Sequence, residues 1–199
     1  MGRSEDLRRC LTFAPAILLA ATAATASQVR PVNLEQMTQR AARIFAGRCV
    51  RVEAVDGGAL GHAVTVATFE VERAVKGEIG PTVSVRMLGG DAAFGRDTPG
   101  LPSFRPGDQV VLFLYGESEL GLSAPVGLGQ GRFQVVTDKS GRRLALNDFG
   151  NRQLLRGLTP AARTRLEQAR GATFETIERE DLEVPALLDL VAALASGGP

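Results

Sequence analysis

The sequence of 199 residues contains no tryptophan, one tyrosine, one histidine and two cysteines. A zinc site takes three or four ligands, chiefly histidine and cysteine, and a Ser–His or Cys–His catalytic pair would have to use the lone His62. We therefore predict no metal, no cofactor and no enzymatic activity, and we interpret His62 as a surface residue at the start of a strand. Cys49 lies in a predicted strand that also contains Val50 and Val52, which favours a buried side chain over a reactive thiol.

The N-terminal stretch has the layout of a secretory signal peptide. A short basic lead precedes an apolar run, residues 11–26, that ends in Ala-Thr-Ala. We predict that residues 1–26 are a signal peptide, which places the protein in the periplasm or the medium. An uncleaved anchor is the alternative, but the run contains Pro15 and is shorter than the roughly 20 apolar residues of a membrane span. The pair Arg8-Arg9 leaves the twin-arginine export route open.

Removal of this segment leaves a chain without net charge. Three of the 23 basic and two of the 22 acidic residues lie in it, so 20 of each sign remain. Nucleic-acid binding depends on a clustered basic excess, and single-strand binding adds aromatic platforms. We therefore predict no nucleic-acid partner. A single cysteine also remains after cleavage, so we expect no internal disulfide.

Short strands separated by glycine and proline turns dominate the middle of the chain. The apolar run at 109–115 is typical of a strand buried on both faces. Two apolar pairs in the second strand have opposite parity, which predicts a β-bulge near Ala67–Thr68. A helix over 33–43 capped by Asn33 precedes the strands. The predicted strands cover residues 44–55, 62–75, 82–88, 109–115, 119–123, 132–137 and 142–147.

Two helices are predicted at the C-terminal end, over 159–170 and 185–195. The second carries a narrow apolar stripe, which usually packs on its own domain, with a partner-binding helix as the alternative. The fold class is thus mainly β with flanking helices, in the form of a small OB-like barrel that uses five or six of the predicted strands. We divide the chain into a signal peptide, a barrel domain with its N-terminal helix over 27–150, and a helical appendage over 151–199.

A resemblance to a known group of proteins is carried by four segments: RAARIFAGRCVRVEAV, VATFEVERAVKGE, PSFRPGDQVVLFLY and VGLGQGRFQVV. In this order and spacing they resemble exported bacterial proteins of unknown function, whose OB-like barrel is similar to the domain of tissue inhibitors of metalloproteinases and netrin modules. The resemblance covers residues 33–137. Inhibitors of that fold chelate zinc through an N-terminal cysteine, whereas the predicted mature chain begins with Ser27, so that mechanism is not carried over.

The run VGLGQGRF, residues 126–133, does not fit a phosphate loop. The third glycine of Gly-x-Gly-x-x-Gly falls on Arg132, and a strand follows where a helix is needed. We interpret its glycines as sheet geometry and place the candidate contact surface in the long loop 89–107, which is rich in glycine and proline. Its apolar residues could instead pack under the barrel. The predicted contact residues are Asp91, Phe94, Arg96, Asp97, Leu101 and Phe104.

These observations predict an exported, non-enzymatic barrel domain that binds a partner protein, such as a secreted protease. A carbohydrate-binding barrel is one alternative, and it requires an exposed aromatic side chain beside a groove. A carboxylate-based hydrolase of the cell envelope is another, and it requires two facing acidic side chains. Glu70 and Glu72 do not form such a pair, because they alternate along the expected solvent face of a strand.

Overall fold

The computed structural model describes residues 30–61, 63–89, 102–179 and 181–196. The predicted signal peptide and His62 lie outside these residues. Of the predicted contact residues, Phe104 is described. The others lie outside the described residues: Asp91, Phe94, Arg96, Asp97 and Leu101.

Six antiparallel strands form one sheet in the order β3-β2-β1-β4-β5-β6. The prediction of a mainly β fold with flanking helices is confirmed. The bounds are β1 Arg43–Val55, β2 Val64–Lys76, β3 Thr82–Leu88, β4 Gln109–Leu114, β5 Arg132–Thr137 and β6 Arg143–Asn147.

The sheet is not closed into a barrel, so the closed form of the predicted OB-like fold is not what the described residues adopt. Strands β3 and β6 are its two edges. The chain after β4 approaches the edge of β3, where the Ser123 N–H donates to the Arg86 carbonyl (2.8 Å). That segment was predicted to contain a strand over 119–123, but it folds as a turn in which the Gly121 N–H donates to the Ser118 carbonyl (2.8 Å). A turn cannot supply the ladder that closure requires.

Both faces of the sheet are buried at β4, as its apolar run predicts. Val111 and Phe113 point into a core shared with the helices. Val110, Leu112 and Leu114 alternate with them and point into a second core on the opposite face. The sheet therefore lies between two separate hydrophobic clusters.

A bulge in β1 bends the sheet. Cys49 pairs with Phe69 and Arg51 with Thr68, which leaves Val50 as an extra residue of β1. The register shift lies where the sequence predicts it, near Ala67–Thr68, but the extra residue belongs to the partner strand. Bulges of this kind increase the local twist of a sheet.

Helices cover one face of the sheet. The predicted caps are confirmed: Asn33 Oδ1 accepts from the Gln36 N–H (2.9 Å), and Thr159 Oγ1 accepts from the Ala162 N–H (3.1 Å). One short helix falls in a stretch that sequence periodicity did not mark. The helices are α1 Leu34–Arg40, α2 Pro160–Arg170, α3 Phe174–Arg179 and α4 Val184–Ala195.

The C-terminal helices share their core with the sheet. Leu187 and Val191 of α4 are fully buried in the cluster that contains Phe113, so the apolar stripe packs on its own domain, as predicted. The buried Glu35 of α1 accepts hydrogen bonds from the N–H and hydroxyl of Thr159 (2.9 and 2.8 Å). These two bonds fix the start of α2 against α1.

Candidate interaction surface

The glycines of the VGLGQG run allow close packing of the backbone, which agrees with their interpretation as sheet geometry. A Cβ on Gly131 would lie 2.5 Å from the Val126 carbonyl oxygen, which is far inside van der Waals contact. Gly127 has a φ of 64°, a conformation that favours glycine. The chain therefore turns tightly at residues 127–131 and enters β5 directly.

Gly129 leaves room for an acidic side chain from another part of the chain. A Cβ at this position would overlap the carboxylate of Asp148. The Asp148 N–H also donates to the Gly129 carbonyl (3.2 Å). The glycine run thus abuts the segment that follows β6, a contact that no local sequence pattern indicates.

Arg132 joins three separate segments at this place. Its Nη2 donates to Asp148 Oδ1 (2.9 Å) and its Nη1 to the Ser103 carbonyl (2.8 Å). Its guanidinium carbon lies 5.8 Å from the centre of the Phe104 ring, within the range of a cation–π contact. The glycine run, the end of the 89–107 loop and the segment after β6 are therefore held together by one side chain.

Phe104 is part of the core rather than of an exposed surface. It is buried, and its ring packs edge-to-face on Phe69 with the centroids 5.1 Å apart. The prediction of Phe104 as a surface contact residue is therefore wrong, and the alternative, that it packs under the sheet, is correct. Tyr115 lies just after β4 and is partly exposed.

The residues after β6 form a tight turn, which we name the 147–153 turn. Asn147 Oδ1 accepts from the N–H groups of Phe149 (3.1 Å) and Asn151 (2.8 Å). Asn151 Oδ1 accepts in return from the Asn147 N–H (3.0 Å), and its Nδ2 donates to the Ala145 carbonyl (2.8 Å). Gly150 and Asn151 both have positive φ, at 63° and 59°. Side-chain bonds of this kind let asparagine hold a left-handed turn.

This turn presents Phe149 to solvent. The side chain is 45% exposed, whereas Phe45, Phe69 and Phe113 are fully buried. A cleft of about 460 Å³ lies beside it. Its walls include Pro31, Gln130, Asp148, Phe149, Arg152 and Gln153.

The far wall of this cleft is fixed by Gln130. Its buried side chain accepts from the Val32 N–H (2.8 Å) and donates to the Arg30 carbonyl (3.1 Å). Gln130 therefore binds the N-terminal residues 30–32 beside the cleft that the 147–153 turn also lines. A second cleft of about 330 Å³ adjoins the first, and Gly150 and Gln153 line both. Its walls include Leu146, Leu155, Arg156, Ile177, Glu178 and Leu182.

The charge left unpaired in the wall of the cleft beside Phe149 is positive. The carboxylate of Asp148 is already engaged by Arg132. Arg152 lines this cleft, is exposed and forms no ion pair within the described residues. Arg30 and Arg156 are also exposed and unpaired there, but Arg156 lines the second cleft together with the exposed Glu178. An exposed aromatic ring with unpaired guanidinium groups nearby is a composition typical of protein-binding surfaces.

Other candidate chemistry is not assembled in the part of the chain that the structure describes. There, no group of three or more histidine, cysteine, aspartate or glutamate side chains is placed to hold a metal ion. Cys49 is buried, and burial raises the pKa of its thiol, which keeps it protonated and unreactive. Glu70 is exposed, and Glu72 pairs with Arg143 (3.1 Å).

Comparisons with known proteins place this chain in no family, so its proposed function rests on the geometry described above. No protein-family model matches the sequence, and no curated protein and no solved structure is significantly similar to it. The resemblance to exported proteins with a barrel like that of metalloproteinase inhibitors therefore stays a prediction. Among the described residues, no helix has the length and apolar character of a membrane span.

Proposed function

We propose that this protein is an exported, non-enzymatic domain that binds a partner protein through the surface around Phe149. We define the Phe149 surface as Phe149, Arg152 and the cleft wall formed by Pro31 and Gln130. The observation that carries the proposal is the exposure of a large aromatic ring at the tip of a turn that is fixed by hydrogen bonds. Export rests on the sequence of residues 1–26.

The energetics favour binding at this place. The free energy falls when a partner covers an exposed aromatic ring, because aromatic side chains carry a large apolar area. The Asn147–Asn151 bonds fix the backbone that carries the ring, so less conformational entropy is lost when a partner binds. Aromatic residues and arginines also supply most of the strong contacts in protein interfaces.

This proposal moves the centre of the contact surface from the 89–107 loop to the 147–153 turn. Phe104 is occupied in the core, and Arg132 binds the end of that loop to Asp148. The loop end and the turn are thus neighbours. The remaining predicted contact residues of the loop lie outside the described residues and stay a prediction.

One observation favours a second function, the binding of an oligosaccharide. Phe149 lies beside a cleft whose walls contain polar side chains, among them Gln153 and Arg152. Sugar rings stack on exposed aromatic rings and exchange hydrogen bonds with such groups. The hydrolase alternative has weaker support, because Asp181, which lines the second cleft with Glu178, is already paired with Arg142 (3.2 Å).

Site-specific photocrosslinking tests the proposal in the cell that produces the protein. A photoreactive phenylalanine analogue replaces Phe149 in one chain and Val50 in a control chain, since both side chains are exposed to a similar degree (45% and 41%). We expect discrete protein adducts from position 149 and none of the same size from position 50. Identical adduct patterns from the two positions, or none from position 149, would contradict protein binding at this surface. Retention of the protein on envelope polysaccharide, lost on replacing Phe149 by serine, would favour the second function.

A further inference from the structure

We infer that the ligand of the Phe149 surface is an acidic, partly apolar peptide segment of the partner protein. The inference rests on the proposed function and specifies the chemistry of its ligand. It follows from the arrangement of charge around one exposed ring.

The single carboxylate in the wall of the Phe149 cleft has a partner within the protein. Asp148 Oδ1 lies 2.9 Å from Arg132 Nη2, and the Asp148 side chain also packs against Gly129. Its negative charge is therefore offset locally. The remaining side chains that line this cleft are neutral except for Arg152.

The arginines nearby have no carboxylate of their own among the described residues. Arg152 lines the cleft, and its backbone N lies 3.4 Å from the Phe149 carbonyl oxygen. Arg30 directly precedes Pro31, another lining residue. Arg156 lines the adjoining cleft, which shares Gly150 and Gln153 with the first but is also lined by Glu178, so the carboxylate of the ligand is assigned to Arg152. This contrasts with Arg142, which lies within ion-pair distance of three acidic residues. An unpaired guanidinium accommodates a carboxylate in a charge-assisted hydrogen bond.

The two features together select the ligand. The ring of Phe149 requires an apolar side chain, and Arg152 requires a carboxylate a short distance away on the same ligand. An acidic peptide with interspersed leucine or phenylalanine supplies both. A basic peptide would place like charges together, and a neutral polysaccharide would leave the guanidinium groups without ionic partners.

Binding of three synthetic peptides tests this inference. The first alternates aspartate with leucine, the second replaces each aspartate by asparagine, and the third replaces it by lysine. Titration into ¹⁵N-labelled protein, followed by amide chemical shifts, reports both affinity and place. We expect the aspartate peptide to shift the amides of Phe149, Gly150 and Arg152 and to bind about tenfold more tightly than the asparagine peptide, as charge-assisted bonds are about twice as strong as neutral ones.

Matched variants separate this inference from general electrostatics. Arg152→Gln should weaken the aspartate peptide about fivefold to tenfold and leave the asparagine peptide unchanged. Arg48→Gln removes an exposed arginine of β1 that has no ion pair among the described residues, and it should change neither affinity. Amide shifts of the folded variants confirm that the turn is intact.

The outcomes also distinguish the inference from the proposed function. Equal affinity for the aspartate and asparagine peptides, or no shift at the turn with either, overturns the acidic ligand. If the photocrosslinked partner is still recovered from position 149 in that case, the binding surface stands and its ligand chemistry is different. If neither experiment gives a signal at the turn, the proposed function fails as well. Competition by envelope polysaccharide at the same amides would assign the surface to sugars instead.

Discussion

Arg132 and Asp148 lie 16 residues apart in sequence and form an ion pair in which Nη2 and Oδ1 are 2.9 Å apart. The arginine side chain is mostly buried, and it also binds the Ser103 carbonyl. The pair connects the glycine run, the end of the 89–107 loop and the turn that carries Phe149. It therefore links the VGLGQGRF run to the Phe149 surface, which we propose to bind a partner.

Replacement of Arg132 tests the role of this connection in stability. Arg132→Met keeps much of the aliphatic packing but leaves the Ser103 carbonyl and Asp148 without their donor. We expect a loss of about 1–3 kcal/mol in the free energy of unfolding, measured by urea denaturation. In a double-mutant cycle with Asp148→Asn, the coupling energy should be at least about 0.5 kcal/mol. If the two single changes in the free energy of unfolding add strictly, the two side chains do not stabilise each other and the connection is not an energetic one.

The glycine run provides a second test through packing. A methyl group on Gly131 would lie 2.5 Å from the Val126 carbonyl oxygen, whereas on Gly116 the nearest atom would be 3.8 Å away. Gly131→Ala should therefore lower the free energy of unfolding by about 1–3 kcal/mol, the usual cost of overpacking. Gly116→Ala is the matched control, with a much smaller change expected. If the two variants unfold at the same urea concentration, the interpretation of this run as close-packed backbone is wrong.

Gln130 provides a third test, at its hydrogen bonds to residues 30–32. Gln130→Ala leaves the buried Val32 N–H without its acceptor, and an unsatisfied buried donor costs about 1–3 kcal/mol. Hydrogen exchange at the Val32 amide should accelerate by more than the loss of global stability explains. Gln134→Ala on the exposed face of β5 serves as the control and should alter neither quantity. Unchanged protection of Val32 in Gln130→Ala would show that these bonds do not hold the chain.

The hairpin turn between β5 and β6 is expected to make the stability of the fold depend on pH. Hydrogen bonds to the carboxylate of Asp138, first from the Ser140 hydroxyl and then from the Arg142 N–H, hold its pKa well below its usual range. A carboxyl group with a depressed pKa stabilises the fold at pH values above its unfolded pKa of about 3.9, and this contribution is lost as the pH falls through the folded pKa. Ser140→Ala should raise the pKa of Asp138, measured by carboxyl carbon NMR. Ser84→Ala is the control, and equal pKa values of Asp138 in both variants would contradict the assigned cause.

Much of the fold follows from local patterns in the sequence. The helix caps at Asn33 and Thr159 and the double-sided burial of β4 depend on neighbouring residues or on strict alternation, which a single sequence displays. The change of parity in β2 predicts a bulge near Thr68, but β2 has no extra residue there, since Ala67 and Phe69 lie on the same face. The strand on which the extra residue lies is not visible, because it depends on the pairing of β1 with β2.

The candidate surface depends on contacts that a sequence does not display. Asp148 and Arg132 meet because β5 and β6 pair, and Phe149 stands out only because its turn has a left-handed backbone. The sequence NDFGN does contain a signal of this kind, since asparagine and glycine favour turns, but the pattern does not show which side chain is exposed. Likewise, the turn after β4 was predicted as a strand because its composition does not reveal that it folds back on itself.

The most direct test of the central claim is the affinity of the photocrosslinked partner for the matched variants Phe149→Ser and Val50→Ser, measured by calorimetry with purified proteins. We expect Phe149→Ser to weaken binding by at least about thirtyfold, the loss expected for an aromatic hot spot of about 2 kcal/mol. Val50→Ser should leave the affinity within about twofold of the parent protein, as is usual for a side chain outside the interface. Equal affinity of the Phe149→Ser variant and the parent protein would contradict the claim that this surface binds the partner.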